Sequence, residues 1–165
     1  MPSMTDPANA MHSFQEELVR GTIKLQDGSV NAGIHLHADN PEGVSRFSYV
    51  RLENGTVTAF VSFVPVDPIE GKICFSIGYA VPEQYRNQGR AKKVVSMAMA
   101  EMQYGLGRGG ISVFYVEAII GVNNKSSQRV AEQTISATAV AMTDQVSGLP
   151  ALQYIRKIDG QAQAS

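Results

Sequence analysis

Residues 72–122 read as a strand, a glycine-bearing turn, a helix and a second strand, an order that leaves few folds open. Residues 72–81 are largely apolar and Pro82 closes them; the turn Arg86-Asn87-Gln88-Gly89-Arg90-Ala91 then opens the helix. Ala91, Val94, Val95, Ala98, Met99 and Met102 recur at the spacing of one helical face, and Gly105, Gly107, Gly109 and Gly110 are expected to end it. Residues 111–122 are apolar at nearly every position, as a central strand covered on both faces should be. A strand, a crossover helix and a second strand make a right-handed, locally parallel β-α-β unit.

A strand that feeds a glycine turn opening a helix leaves backbone N–H groups unpaired at the helix's positive end, which suits a phosphate or pyrophosphate. Gly89 permits close backbone approach and Ala91 keeps the helix start slim. Such a turn in isolation is more often only a turn. Its place after Gly78-Tyr79-Ala80-Val81-Pro82 gives it weight.

The order Arg-x-x-Gly-x-Ala at residues 86–91 resembles the acyl-CoA pyrophosphate loop of the GNAT superfamily of N-acyltransferases. Asn124-Lys125-Ser126-Ser127, after the second strand, is similar to the Asn-x-x-Ser/Ala that this family places at its next helix. The likeness covers residues 44–135 and reaches the N-terminal third by position only. It implies an α/β (α+β) fold whose mixed central sheet runs as an antiparallel meander, then a parallel β-α-β crossover, splayed between the family's fourth and fifth strands. It also implies acetyl-CoA as co-substrate and no metal. The backbone of Ala80 and Val81 would pair with the pantetheine arm, as an added strand would. The loop Arg86, Asn87, Gln88, Gly89, Arg90 and Ala91 would hold the pyrophosphate through its amides, with Arg86 and Arg90 adding charge. Asn124 would bond the arm from the opposite side, with Ser127 beside it or serving only as part of a helix cap.

Moving an acetyl group from a thioester to an amine requires a deprotonated amine, close positioning, a donor for the developing oxyanion and a proton for the leaving thiolate. An amine with a pKa of about 8 to 10.4 must lose a proton at neutral pH, and a carboxylate is a suitable acceptor. Glu117, on an otherwise apolar strand, is the candidate base; the alternative is an ion-paired structural residue. Tyr79 is a second catalytic candidate, facing the acyl group or packing in the core. A backbone N–H near Val81 is the oxyanion donor that the resemblance implies.

Two departures bear on catalysis. Many GNAT members carry a tyrosine acid where this chain has Ala131, and the usual Gly-Phe dipeptide is replaced around Gln133-Thr134-Ile135. The smaller residue is shared with the ribosomal-protein-acetyltransferase-like branch, which the motifs resemble most. The leading expectation is an acetyl-CoA-dependent N-acetyltransferase acting by direct attack of an amine on the thioester. A non-catalytic acyl-CoA-binding or regulatory module is the alternative. A nucleotide-phosphate protein would need a Gly-x-Gly-x-x-Gly or Lys-Ser/Thr pattern that the turn lacks.

Elsewhere, residues 1–12 are expected to form a flexible tail and residues 13–165 a single domain. A short helix over 13–19 would be capped by Ser13 and Glu16. Strands over 43–52 and 57–66 would meet at a Glu53-Asn54-Gly55 hairpin, and Pro65, Asp67, Pro68 and Gly71 mark a further turn. A short helix begins near Asn124, and residues 140–158 form a terminal strand or hairpin bent at Gly148-Leu149-Pro150. A net charge of −1 argues against a dominant nucleic-acid surface. No apolar run approaches the roughly 20 residues that span a bilayer, and no secretory pattern is present. Cys74, the sole cysteine, excludes an internal disulfide, and the expected compartment is the cytoplasm. With no histidine near it in sequence, Cys74 reads as a buried strand residue rather than an acyl carrier. His35 and His37 alternate on one strand face without a third metal ligand. The acceptor would be a small-molecule or peptide amine. Glu16, Glu17, Asp27, Asp39 and Glu42 give residues 13–43 an acidic bias suited to a cationic one. A homodimer through the terminal strand is compatible with the pattern.

Overall fold

In the computed structural model, which describes residues 6–160, the first helix starts at Pro7 rather than Ser13. Asp6 caps α1 (Pro7–Arg20) by accepting the Ala8 amide at 2.9 Å, and Pro7 brings a helical φ to a position that needs no N–H. Residues 7–12 of the expected tail are therefore helical, and Met11 is only 2% exposed; residues 1–5 lie outside the described residues. At the far end Gly21 takes a left-handed φ of 77°, and the Gly21 and Thr22 amides return to Leu18 and Glu17 at 3.1 Å each.

Among the described residues eight strands form one sheet: β1 (Gln26–Asp27), β2 (His35–Asp39), β3 (Arg46–Glu53), β4 (Thr56–Ile69), β5 (Lys72–Ala80), β6 (Val113–Gly121), β7 (Val140–Thr143) and β8 (Pro150–Asp159). Their spatial order is β1-β2-β3-β4-β5-β6-β8-β7, and the β5–β6 pair alone is parallel. The crossover between β5 and β6 is α2 (Arg90–Arg108), and α3 (Lys125–Thr134) follows β6. This is the mixed, meander-then-crossover sheet that the sequence pattern implies. Asn54 and Gly55, with φ of 52° and 79°, make the β3–β4 hairpin turn.

Two boundaries differ from expectation. Pro65 and Pro68 do not end β4, because β3 pairs with β4 only as far as Phe63. Beyond that residue β4 is an edge on one side, where a missing N–H is tolerated. The turn falls instead at Glu70-Gly71, both left-handed. Gly105 and Gly107 lie inside α2, since Leu106 packs on the core and this contact outweighs the weak helix propensity of its neighbours.

Strand alternation divides the sheet into two faces. Tyr49, Phe63, Phe75 and Phe114 form an edge-to-face ladder across β3 to β6, with centroid separations of 5.9, 6.4 and 6.1 Å. Val94, Val95, Ala98, Met99 and Met102 of α2 bury against this side. On the other face Met11 and Phe14 of α1 pack on Val50, Val57 and Phe60. β6 is thus not covered alike on both sides: on the α1 side its neighbour Ile155 of β8 is 36% exposed. Gly78 of β5 brings α1 close, since a Cβ there would stand 3.1 Å from the Pro7 ring.

A buried carboxylate ties the N-terminal region to the crossover helix. Glu101 of α2, 6% exposed, accepts the amides of Ser29, Val30 and Asn31 at 2.6, 2.8 and 2.7 Å. Successive amides converging on one anion are the strong, charge-assisted kind of hydrogen bond. Removing the carboxylate with Glu101→Ala is expected to lower unfolding free energy by roughly 3 kcal/mol, with Glu101→Gln intermediate, as read by urea denaturation.

Candidate active site

β5 and β6 are paired only over Cys74–Tyr115, Phe75–Val116 and Ser76–Glu117. β5 then continues to Ala80 beside β4, and β6 to Gly121 beside β8, with no pairing between them. The sheet therefore forks, and each branch keeps one unpaired backbone side. Residues 77–80 and 118–121 line the gap.

The β5 branch leads through Val81 and Pro82 into a short 3-10 turn (Glu83–Tyr85) and then the loop. Asn87 and Gly89 both hold left-handed φ, 61° and 72°. Gly89 is the N-cap of α2 and offers no side-chain cap; the first helical bond runs from the Lys93 amide to the Gly89 carbonyl at 3.1 Å, so the amides before it have no partner within the helix. A Cβ at Gly89 would meet nothing within 4 Å, so space lies in front of the loop. Amides at a helix N-terminus facing open space fit a pyrophosphate.

The two arginines are engaged with the protein. Arg86 Nε donates to the Val81 carbonyl at 3.0 Å, fastening the loop to the strand end. Arg90 Nε donates to Gln88 at 3.1 Å, its guanidinium lies 5.0 Å from the Tyr85 ring centre, and a terminal nitrogen is 3.5 Å from Glu53. Both shape the loop as well as adding charge beside it.

Across the gap, Asn124 caps α3 through Oδ1, which accepts the Ser127 amide at 3.2 Å and the Ser126 hydroxyl at 3.3 Å. Its side-chain oxygen is thus committed and the amide nitrogen is the group it can present. Buried Gln128 donates to both the Gly121 and Val122 carbonyls at 3.0 Å, tying α3 to the end of β6. Ala80, Val81 and residues 86–91 stand on one branch of the fork, and Asn124 and Ser127 on the other.

The two catalytic candidates are not brought together. Glu117 belongs to the last shared pair, at the root of the fork, on the α1 side of the sheet. Its carboxylate accepts from Gln153 Nε2 at 2.8 Å. Tyr79 points to the opposite side, into the core beside α2 and α3, and its hydroxyl donates to the Ser127 carbonyl at 2.6 Å. Burial, and then Tyr154, push the Tyr79 hydroxyl well above the usual tyrosine range. A tyrosine held that firmly protonated is a poor acid toward a thiolate.

The remaining candidates fall outside the fork. Of the acidic residues in the N-terminal region, Asp39 pairs with Arg46 at 2.6 Å, Asp27 contacts His35 at 3.0 Å, and Glu17 takes the Thr22 hydroxyl and Arg20. Glu17, Asp39, Arg46, His37 and Ser48 line a cavity of about 470 Å³ beneath α1. Phe60 of β4 also lines it and pairs with Ala80, so that cavity lies one strand from the β5 branch. His37 reaches the Lys24 carbonyl rather than His35. Gln153 and Gln128 carried no motif that marks them in the sequence. The Asp6-Pro7 start of α1 did carry one, an N-cap followed by proline.

An open fork beside an amide-lined helix N-terminus defines an α/β protein with a cleft for a phosphate-bearing ligand. The Acetyltransferase (GNAT) family model matches residues 13–135, and the chain belongs to that family. Among solved structures it resembles a RimL ribosomal L7/L12 alpha-N-protein acetyltransferase in complex with coenzyme A, at 23% identity and a TM-score of 0.52 over 70% of this chain and 63% of that one. It resembles a GNAT acetyltransferase from Streptococcus pneumoniae at 11% identity and a TM-score of 0.52, over 68% and 66% of the two chains. RimJ from Mycobacterium smegmatis, in complex with CoA-disulfide, matches at 15% identity and 0.54, over 75% and 57%. The chain spans less than two thirds of the length of each of these three. No protein of curated function matches it.

Cys74, fully buried beside Glu117's row, has its thiol pushed up to about 11, chiefly by burial and then by the Glu117 charge. A thiol whose folded pKa lies above its unfolded value of about 8.5 stabilises the protein fully below that pH, and the contribution is lost as pH climbs through the folded value. The native protein should therefore resist iodoacetamide at pH 8. Cys74→Ala should flatten the fall in unfolding free energy above about pH 8.5, followed by denaturation at stepped pH.

Proposed function

We propose that the protein is an N-acetyltransferase that takes its acetyl group from acetyl-CoA and delivers it to an amine by direct attack on the thioester. The observation that carries this is the fork, with unpaired strand backbone on both walls and the uncapped N-terminus of α2 at its mouth. Membership of the acetyltransferase family and the coenzyme A complexes of two similar structures support it.

In this reading the amides of Gln88, Gly89, Arg90 and Ala91 bind the pyrophosphate, and Arg86 keeps them aligned with the strand end. Ala80 and Val81 pair with the pantetheine arm along β5, Asn124 bonds it from α3, and the Val81 amide faces the thioester oxygen where charge develops. The amine enters from the α1 side. Glu117, oriented by Gln153, receives the proton that the amine must lose, directly or through water. As the new C–N bond forms and the C–S bond breaks, the thiolate sulfur regains a proton from solvent.

The acceptor we assign is an amine of a small molecule or a peptide. The RimL neighbour, whose acceptor is a protein α-amine, favours the peptide. No described helix is long and apolar enough to cross a membrane, and we place the protein in the cytoplasm.

Incubation with acetyl-CoA and an amine panel that includes peptide α-amines should release free thiol for at least one acceptor. Acetyl-CoA binding without thiol release across the panel would overturn the enzyme reading in favour of a binding module. Glu117→Gln is expected to lower kcat/KM about a hundredfold at pH 7 while leaving acetyl-CoA affinity unchanged. Gly89→Ala, forced to carry a side chain at φ of 72°, should weaken acetyl-CoA binding about tenfold in calorimetry.

A further inference from the structure

Past Ser76 and Glu117 no backbone pairing holds the β5 branch to anything beyond β4. Tyr79 lies in that stretch, and its side chain crosses to the first turn of α3. Its hydroxyl, in a residue only 9% exposed, donates to the Ser127 carbonyl at 2.6 Å. A backbone carbonyl has two lone pairs, so Ser127 can keep its helical partner and still take the hydroxyl.

The other ties at this end of α3 run elsewhere. Asn124 bonds within the helix start, and Gln128 reaches the carbonyls of Gly121 and Val122 at the end of β6. β6 and α3 thus behave as one wall of the gap and β5 as the other, joined by the tyrosine. Ala131 is fully buried and its single methyl leaves the groove over the Ser127 carbonyl open to a ring from β5. Apolar packing alone would be served by phenylalanine. The hydroxyl adds a directed bond in a water-poor setting, where such bonds are strongest.

We infer that Tyr79 is a positioning residue whose hydroxyl, bound across the fork to the Ser127 carbonyl, fixes the width of the slot between β5 and α3. This rests on the reading of that slot as the acyl-CoA site. The tyrosine exchanges no proton with substrate; it sets the separation between Ala80 and Val81 on one wall and Asn124 on the other.

Tyr79→Phe keeps the ring and removes the brace. In the ligand-free protein, amide hydrogen exchange over residues 125–131 should quicken about fivefold, because α3 loses its tie to β5. Calorimetric Kd and kinetic KM for acetyl-CoA should rise about fivefold while kcat stays within about twofold. Ala131→Leu, which leaves Tyr79 intact but fills the groove, should give the same pattern, and the double variant should be no worse than either single one. Unchanged exchange and unchanged acetyl-CoA affinity in Tyr79→Phe would overturn the brace. So would a large loss of kcat at constant KM, which would place the hydroxyl in the chemistry itself. If the wild-type protein binds no acetyl-CoA, the reading of the site fails, and the exchange measurement then decides the brace by itself.

Discussion

Two parallel strands that stop pairing after Ser76 and Glu117 leave polar backbone inside the protein, and the rest of the molecule is arranged around that fact. Buried N–H and C=O groups without partners are costly. Part of the demand is met from within. Arg86 takes the Val81 carbonyl at one branch, and Gln128 takes the Gly121 and Val122 carbonyls at the other. What is left along the gap is a set of strand amides and carbonyls that β5 and β6 do not pair with each other. An amide-bearing, extended arm satisfies such a set well.

The alternation of strand side chains gives the fork two sides with different chemistry. Residues of odd number on β6 and even number on β5 face α1, which groups Glu117 with Ser76 and Gly78. The opposite parity groups Tyr79 with the aromatic ladder and α2. The Glu117 carboxylate therefore stands on the half-open face, while Tyr79, which reaches across to Ser127, is held in the dry one. Glu101 acts at a distance, clasping the loop before β2 to the helix that follows the 86–91 turn.

The central β-α-β unit was legible because its signals are local and redundant. A proline ends the strand, glycine takes a left-handed turn, and one helical face is apolar for three turns. The boundaries that shifted are those set by tertiary contact. Pro65 and Pro68 look like a turn until β3 is seen to stop at Phe63, and Gly105 and Gly107 look like a helix end until Leu106 is seen in the core. Asp6-Pro7 was readable as a helix start, yet the capping pattern at Ser13 and Glu16 competed with it. The partnerships of Glu117 with Gln153, Tyr79 with Ser127, and Glu101 with residues 29–31 join positions 36, 48 and about 70 residues apart, and no local pattern encodes them.

Every sheet has margins where a foreign strand can add itself. Among the described residues several are short or blunted: β1 offers two residues, β7 offers four, and the overhang of β4 past Phe63 carries two prolines that cannot donate, while β8 runs on to Asp159 past Gln153, its last residue paired with β7. A further pair of edges lies in the interior of the sheet, on the two facing branches beyond Ser76 and Glu117. A protein built this way keeps an opening for an extended segment in the middle of its sheet rather than at its margin.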